Sequence, residues 1–148
     1  MDKEALTKQV EWLNDPVNVR YSEQRHLKHS LDSQAVYACM GGFHEVYFGN
    51  DLVGTIKVHT DAENSVSNVG ILIGRKYWGY GFATEAWTGF CDWLLANGTR
   101  KIEAGMMSIN RGMIKVCQKY EMHEEGRLFE HFYVEGSVVD QVNYGKFR

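Results

Sequence analysis

The chain has 148 residues and a mass of 17.0 kDa, with 44% apolar and 24% charged residues, enough for one globular domain with a sizeable core and too little for a second. A formal charge of −3 and a pI near 6.1, with no run of basic residues, exclude nucleic acid as a partner held by bulk charge. No apolar stretch approaches the roughly 20 residues that span a bilayer, residues 1–4 are polar rather than a signal peptide, and a cytoplasmic protein with no membrane partner is the expectation.

Leu6, Val10 and Leu13 recur at helical spacing before Asn14-Asp15-Pro16, where proline disfavours helix for the residue ahead of it. Residues 17–29 are irregular and rich in charge. Ser30 or Asp32 can then cap a short helix carrying Ala35, Val36 and Cys39, which Gly41-Gly42 stops. Residues 44–48 and 52–59 are rich in β-formers around Gly49-Asn50-Asp51, a hairpin signal, and residues 67–73 make a third strand of this antiparallel group. The closing Ile71-Leu72-Ile73 run predicts burial on both faces. Ala83, Ala86, Trp87, Phe90, Cys91 and Leu94 mark one face of a helix that Asn97-Gly98 ends with a left-handed cap. A strand over 100–107, a helix over 111–120 and two strands over 122–133 and 138–147 complete an α+β order of αα-βββ-α-β-α-ββ. Cys39, Cys91 and Cys117 are odd in number and form no C-x-x-C pair, so reduced thiols are expected, with neither a disulfide framework nor a metal site.

Gly79-Tyr80-Gly81 falls between a strand ending at Ile73 and a helix beginning near Ala83. Glycine permits a tight turn and lets a ligand come close, with no Cβ in the way. Backbone N–H groups over 79–83 would then converge at a helix N-terminus, where unpaired donors and the positive end of the dipole favour a pyrophosphate. The segment lacks the G-K-[ST] ending of a P-loop and the third glycine of a dinucleotide fingerprint. A tight turn with no ligand is the competing reading.

Lys76-Tyr77-Trp78-Gly79-Tyr80-Gly81-Phe82-Ala83-Thr84-Glu85-Ala86 resembles the acetyl-CoA motif of GNAT N-acetyltransferases, Q/R-x-x-G-x-G/A, in the longer form ending A-T-E-A found in the RimJ/RimL-like branch. Trp12-Leu13-Asn14-Asp15-Pro16 is similar to that branch's W-L-N-D-P entry, and the likeness runs in order through Asn110 and the helix after it. It departs at Lys76, where glutamine or arginine is usual, although an ammonium can still meet a phosphate as a point charge. It departs again at the start, where the family's first strand is missing. The resemblance therefore implies a single GNAT domain over 1–148, with a mixed, mostly antiparallel sheet and one bare edge, for which a homodimer covering it or a shortened gene would each account.

What the resemblance implies chemically is direct transfer of an acetyl group from acetyl-CoA to a primary amine, with both reactants oriented in one cleft and no metal. Lys76, Trp78, Gly79, Tyr80, Gly81, Phe82, Ala83 and Thr84 would hold the cofactor, and the backbone of Leu72 and Ile73 would pair with its pantetheine arm and polarise the acetyl oxygen. Asn110 matches the family asparagine that touches the arm or an ordered water, and equally reads as the N-cap of the next helix. Where many members place a tyrosine as leaving-group acid stands Cys117, with Tyr120 or solvent as alternatives. The family's glutamate base corresponds to Asn68, which can position a water but cannot take a proton; His59, Glu23, His29 and Asp61 are substitutes, His59 with the most suitable intrinsic pKa. The acceptor would lie against residues 17–32, where Tyr21, Glu23, Arg25 and His29, with Asn68, suit a polar amine. An amino sugar is the first expectation, then peptide N-termini, polyamines and aminoglycosides. The rival class is a module that binds acyl-CoA without turnover.

Overall fold

Asp2 starts the first helix, its carboxylate accepting from the Ala5 N–H at 2.8 Å, and the computed structural model, which describes all residues from Met1 to Arg148, carries that helix, α1, over Lys3–Asn14. Helix α2 (Leu31–Cys39) opens on a reciprocal cap in which Ser30 and Ser33 each accept from the other's backbone N–H. A 3₁₀ turn at Glu23–His26 breaks the irregular stretch between them. Strands β1 (Phe43–Phe48) and β2 (Asp51–Asp61) form an antiparallel hairpin with Gly49 at φ +59°, and β3 (Val66–Ile73) follows. A second 3₁₀ turn, Arg75–Tyr77, leads to α3 (Phe82–Ala96), β4 (Lys101–Met107), α4 (Arg111–Lys119), β5 (His123–Val134) and β6 (Ser137–Phe147).

The six strands are ordered β1-β2-β3-β4-β6-β5. This is the mixed α+β architecture expected from the sequence, with helices leading the first strand and β1 at one end of the order. Strands β3 and β4 run parallel in register Val66↔Lys101, Ser67↔Ile102 and Asn68↔Glu103, whereas β6 is antiparallel to both β4 and β5. Glu135 (φ 50°) and Gly136 (φ 83°) make the two-residue turn between β5 and β6, a conformation that matches the right-handed twist of a hairpin.

The chain divides into two compact units, Met1–Val58 with Gly70–Ala83, and His59–Val69 with Thr84–Arg148. In the first, Ala5 and Leu13 of α1 are buried with Val19, Val53, Ile56 and Ile73, and the Thr55 hydroxyl donates to Gln9 at 2.8 Å so that neither polar group is stranded. In the second, Trp87 and Cys91 of α3 and Ile102 of β4 are fully buried. The expectation of two-sided burial for 71–73 is corrected: Ile73 is buried, but Ile71 and Leu72 are half-exposed. Parallel pairing, the arrangement that covers strands on both faces, holds for only three residue pairs at the other end of β3.

Candidate functional site

In the first unit, Trp12, Asn14 and Asp15 fasten the approach to the glycine turn. The Trp12 indole lies so close to Gly74 that a Cβ there would collide with the ring, and Asp15 pairs with Arg75 at 3.1 Å. Asn14 clamps the backbone of His29 twice, donating to its carbonyl and accepting from its N–H, each at 2.9 Å. The Gly74 N–H reaches the Val53 carbonyl at 2.9 Å, and the Trp78 indole N–H donates to the Ile73 carbonyl, also at 2.9 Å. The chain is thus fixed from Ile73 to Trp78 before the turn begins.

Gly79 and Gly81 then adopt φ +85° and +81°, in the left-handed region that costs other L-residues about 1–2 kcal/mol. A Cβ added at either would meet no protein atom within 4 Å. Packing therefore does not explain these glycines; the conformation and the open space beside the backbone do. Phe82 and Ala83 begin α3 immediately, presenting first-turn N–H groups at its N-terminus. Lys76 is exposed, its ammonium 4.9 Å from the Tyr77 ring centre, and Thr84 follows half-buried on α3. An anion held by backbone donors fits this turn.

The residues expected to face an acceptor separate into two kinds. Tyr21 lies half-exposed beneath the Arg20 guanidinium, 5.2 Å away, and Glu23 pairs with Arg25 at 3.1 Å on the 3₁₀ turn. His29 is instead buried. Its Nε2 faces the Gln24 carbonyl at 3.3 Å and must carry the proton there, leaving Nδ1 to accept from the Gln34 amide at 3.1 Å. Both ring nitrogens are thereby engaged in joining α2 to the preceding turn.

In the second unit, Asn110 caps α4, its side-chain oxygen accepting from the Met113 N–H at 3.2 Å, so the capping alternative holds and its amide NH₂ remains available. Cys117 is fully buried and burial pushes its thiol up to about 12. Tyr120 is raised as well, by burial and then by the hydrogen bond its hydroxyl donates to Asp92 at 2.6 Å; the Lys146 ammonium sits 3.9 Å from its ring centre. His59 is exposed on β2, and Asp61 is held below the ordinary carboxylate range by the Asn64 side chain. Asn68 is exposed and stands in register with Glu103, its amide donating to that carboxylate at 3.5 Å.

Residues 2–123 match the family described as Acetyltransferase (GNAT) domain. The chain belongs to the GNAT acetyltransferase family. It is 29% identical over 93 residues to an uncharacterized N-acetyltransferase p20 of Bacillus licheniformis, covering 62% of this chain and 52% of that protein, so the chain spans about half the length of the curated relative it matches. An N-acetyltransferase from Staphylococcus aureus Mu50 superposes with a TM-score of 0.88 at 17% identity, over 99% of this chain and 94% of that one. A spermidine N-acetyltransferase from Vibrio cholerae, in complex with CoA and spermine, gives 0.86 at 16%, over 99% and 92%. At these identities the two structures establish the GNAT fold.

Glu103 and Asp92, which partner Asn68 and Tyr120, were not singled out from the sequence. Glu103 could have been found as a charge flanked by apolar Ile102 and Ala104 in a strand, but its register with Asn68 is a tertiary fact. Asp92 lies on α3 and meets Tyr120 across 28 residues of sequence, a distance no local pattern encodes. No group of three His, Cys, Asp or Glu residues is placed to hold a metal ion, and no helix is long and apolar enough to cross a membrane.

The two buried thiols make the second unit sensitive to alkali. Cys91, like Cys117, is fully buried and raised to about 12, chiefly by burial. An unfolded thiol ionises near about 8.5. Below that pH both states keep their protons; between there and pH 12 the unfolded chain releases protons that the folded chain retains, and stability falls as pH rises. The slope is about 1.4 kcal/mol per pH unit for each thiol. Urea unfolding from pH 8 to 11 should therefore show Cys91→Ala and Cys117→Ala each losing stability less steeply than the wild type, from a lower starting value.

Proposed function

We propose that residues 1–148 act as one acetyltransferase domain of the RimJ/RimL-like branch, moving the acetyl group of acetyl-CoA directly to the primary amine of a small polar acceptor, an amino sugar first among them. The observation that carries this reading is the positive-φ turn at Gly79 and Gly81, whose open side no protein atom fills and which delivers the chain into the N-terminus of α3. Acetyl-CoA supplies the activated thioester: its carbonyl carbon gains the bond to the amine nitrogen and loses the bond to sulfur, which departs as the thiolate.

The chain's own residues bind, orient and handle protons. Backbone N–H groups of 79–83 take the pyrophosphate, with the exposed Lys76 ammonium as a counter-charge. The Ile73 carbonyl already accepts from Trp78 and the Leu72 carbonyl lies against Gly54 of β2, so the pantetheine arm is assigned to the backbone N–H groups of Leu72 and Ile73. The free amide NH₂ of Asn110 meets the arm or an ordered water. Glu103, in register with Asn68, supplies the carboxylate that Asn68 lacks for drawing a proton from the acceptor ammonium. Neither Cys117 nor Tyr120 is a ready acid for the thiolate, since both have raised pKa values and the Tyr120 hydroxyl is engaged as a hydrogen-bond donor to Asp92; solvent protonates it. A second copy covering the outer edge of β1 is part of this proposal.

The engaged hydroxyl of Tyr120 and the amide at Asn68 favour one other reading, a domain that binds acyl-CoA without turnover. Thiol release from acetyl-CoA, measured against amino sugars, peptides, polyamines and aminoglycosides, separates the two. Turnover highest with an amino sugar is expected. Coenzyme A binding with no release on any amine would leave only the binding domain.

A further inference from the structure

The glycine turn carries an aromatic array that phosphate binding alone does not use. Phe82, the residue following Gly81, is its centre. The Phe48 ring of β1 lies 5.0 Å from it, Tyr77 meets it edge-on at 6.5 Å, and Tyr80 stacks on it at 5.7 Å with ring planes only 26° apart. Aromatic rings are normally covered, because leaving them in water forgoes the gain from burial. Here Tyr80 is 72% exposed and Phe48 64%, so the row ends on an open ring face.

Tyr80 lies between the two glycines whose positive φ opens the backbone to an anion. A ligand held by its phosphates on 79–83 therefore has its neighbouring groups within reach of that face. The group that gains most there is planar, aromatic and tied to a phosphate, because a flat heterocycle continues the stack while an aliphatic group leaves much of the ring wet. Between Gly79 and Ala83 the Tyr80 hydroxyl is the one polar side-chain group, so stacking on the ring is the main recognition these residues offer.

We propose that Tyr80, backed by Phe82 and Phe48, is the seat for the adenine ring of coenzyme A, stacking on it while the adjacent backbone holds the phosphates. This rests on the acetyltransferase reading of the same turn. It makes Tyr80 a cofactor-affinity residue: it contributes to holding the nucleotide and takes no part in the transfer.

The test compares wild type, Tyr80→Leu and Tyr80→Phe by calorimetric titration with two probes, coenzyme A and 4′-phosphopantetheine, which has no adenosine. Tyr80→Leu should weaken coenzyme A about tenfold and 4′-phosphopantetheine less than twofold, and Tyr80→Phe should retain wild-type affinity for both. The fluorescence of etheno-coenzyme A should be quenched on binding to wild type and not to Tyr80→Leu. Unchanged coenzyme A affinity in Tyr80→Leu, or an equal loss for both probes, overturns the stacking seat while leaving the acetyltransferase reading intact. Wild-type protein that binds neither probe overturns both. Self-association that disappears in Tyr80→Leu with coenzyme A affinity retained would assign the array to a second copy instead.

Discussion

Gly81→Val should remove coenzyme A binding, lowering affinity by a hundredfold or more while the protein stays folded. Two independent effects act at this position. The wild-type φ of +81° is one that a β-branched residue resists, so the turn rearranges to relieve about 1–2 kcal/mol of strain and its N–H groups swing out of line. Charge-assisted hydrogen bonds contribute about 1.5–3 kcal/mol each, and losing two of them is sufficient for the expected drop. The added side chain also enters the space beside the backbone, where no protein atom lies within 4 Å of the new Cβ. That same emptiness is why the fold survives. Calorimetric titration with coenzyme A checks the loss and circular dichroism the fold; affinity within threefold of wild type would remove the turn from the site.

Gly54→Ala should destabilise the first unit by about 3 kcal/mol, because overpacking a rigid neighbour costs up to about that much. Gly54 is buried in β2, and a Cβ on it would collide with the Leu72 carbonyl oxygen and with the side chain of Ile73. The obstacle is backbone, which cannot step aside as a side-chain tip can. Relief requires β2 or the end of β3 to shift, and Leu72 and Ile73 are the residues assigned to the pantetheine arm, so coenzyme A affinity should fall together with stability. A loss of this size lowers the melting temperature of a domain this long by roughly 6–12 °C. Gly89→Ala is the control: it sits exposed on α3 with nothing within 4 Å of the added atom, and should gain roughly 0.5–1 kcal/mol from helix propensity. Equal melting temperatures for the two variants would show that the approach at Gly54 is not tight.

These contrasts mark what sequence can and cannot carry. The glycine turn was legible because its signal is local: two glycines, their distance from Ile73 and the helical pattern after Ala83 all lie within one short window. The order of elements was legible for the same reason, local signals marking its joints, as at the Ser30 cap of α2, the Gly49 hairpin turn and the Gly98 stop of α3. The Trp12-Leu13-Asn14-Asp15 entry could be recognised but not explained from sequence. Its meaning lies in partners up to 62 positions away, Trp12 against Gly74, Asn14 on the His29 backbone and Asp15 on Arg75.

The chemistry was least legible. Titratable character is a property of surroundings, and sequence shows only the residue type. Cys117, Tyr120 and His29 all have suitable functional groups, yet one is deep in apolar surroundings, one holds its hydroxyl in a hydrogen bond to Asp92 and one spends both ring nitrogens on neighbouring segments. Glu103 has an ordinary group in an informative place, opposite Asn68, and that place is set by the pairing of β3 with β4. Acceptor choice is less legible still, because Tyr21, Glu23 and Arg25 describe a polar surface without describing its complement.

The central claim is that backbone N–H groups of residues 79–83 receive the cofactor's phosphates, and amide NMR reads those groups one by one. Adding coenzyme A to ¹⁵N-labelled protein should move the amide resonances of Gly79, Tyr80, Gly81, Phe82 and Ala83 the furthest, downfield as each N–H gains a charged acceptor. Saturable binding that leaves these five amides in place while shifting others would contradict the account.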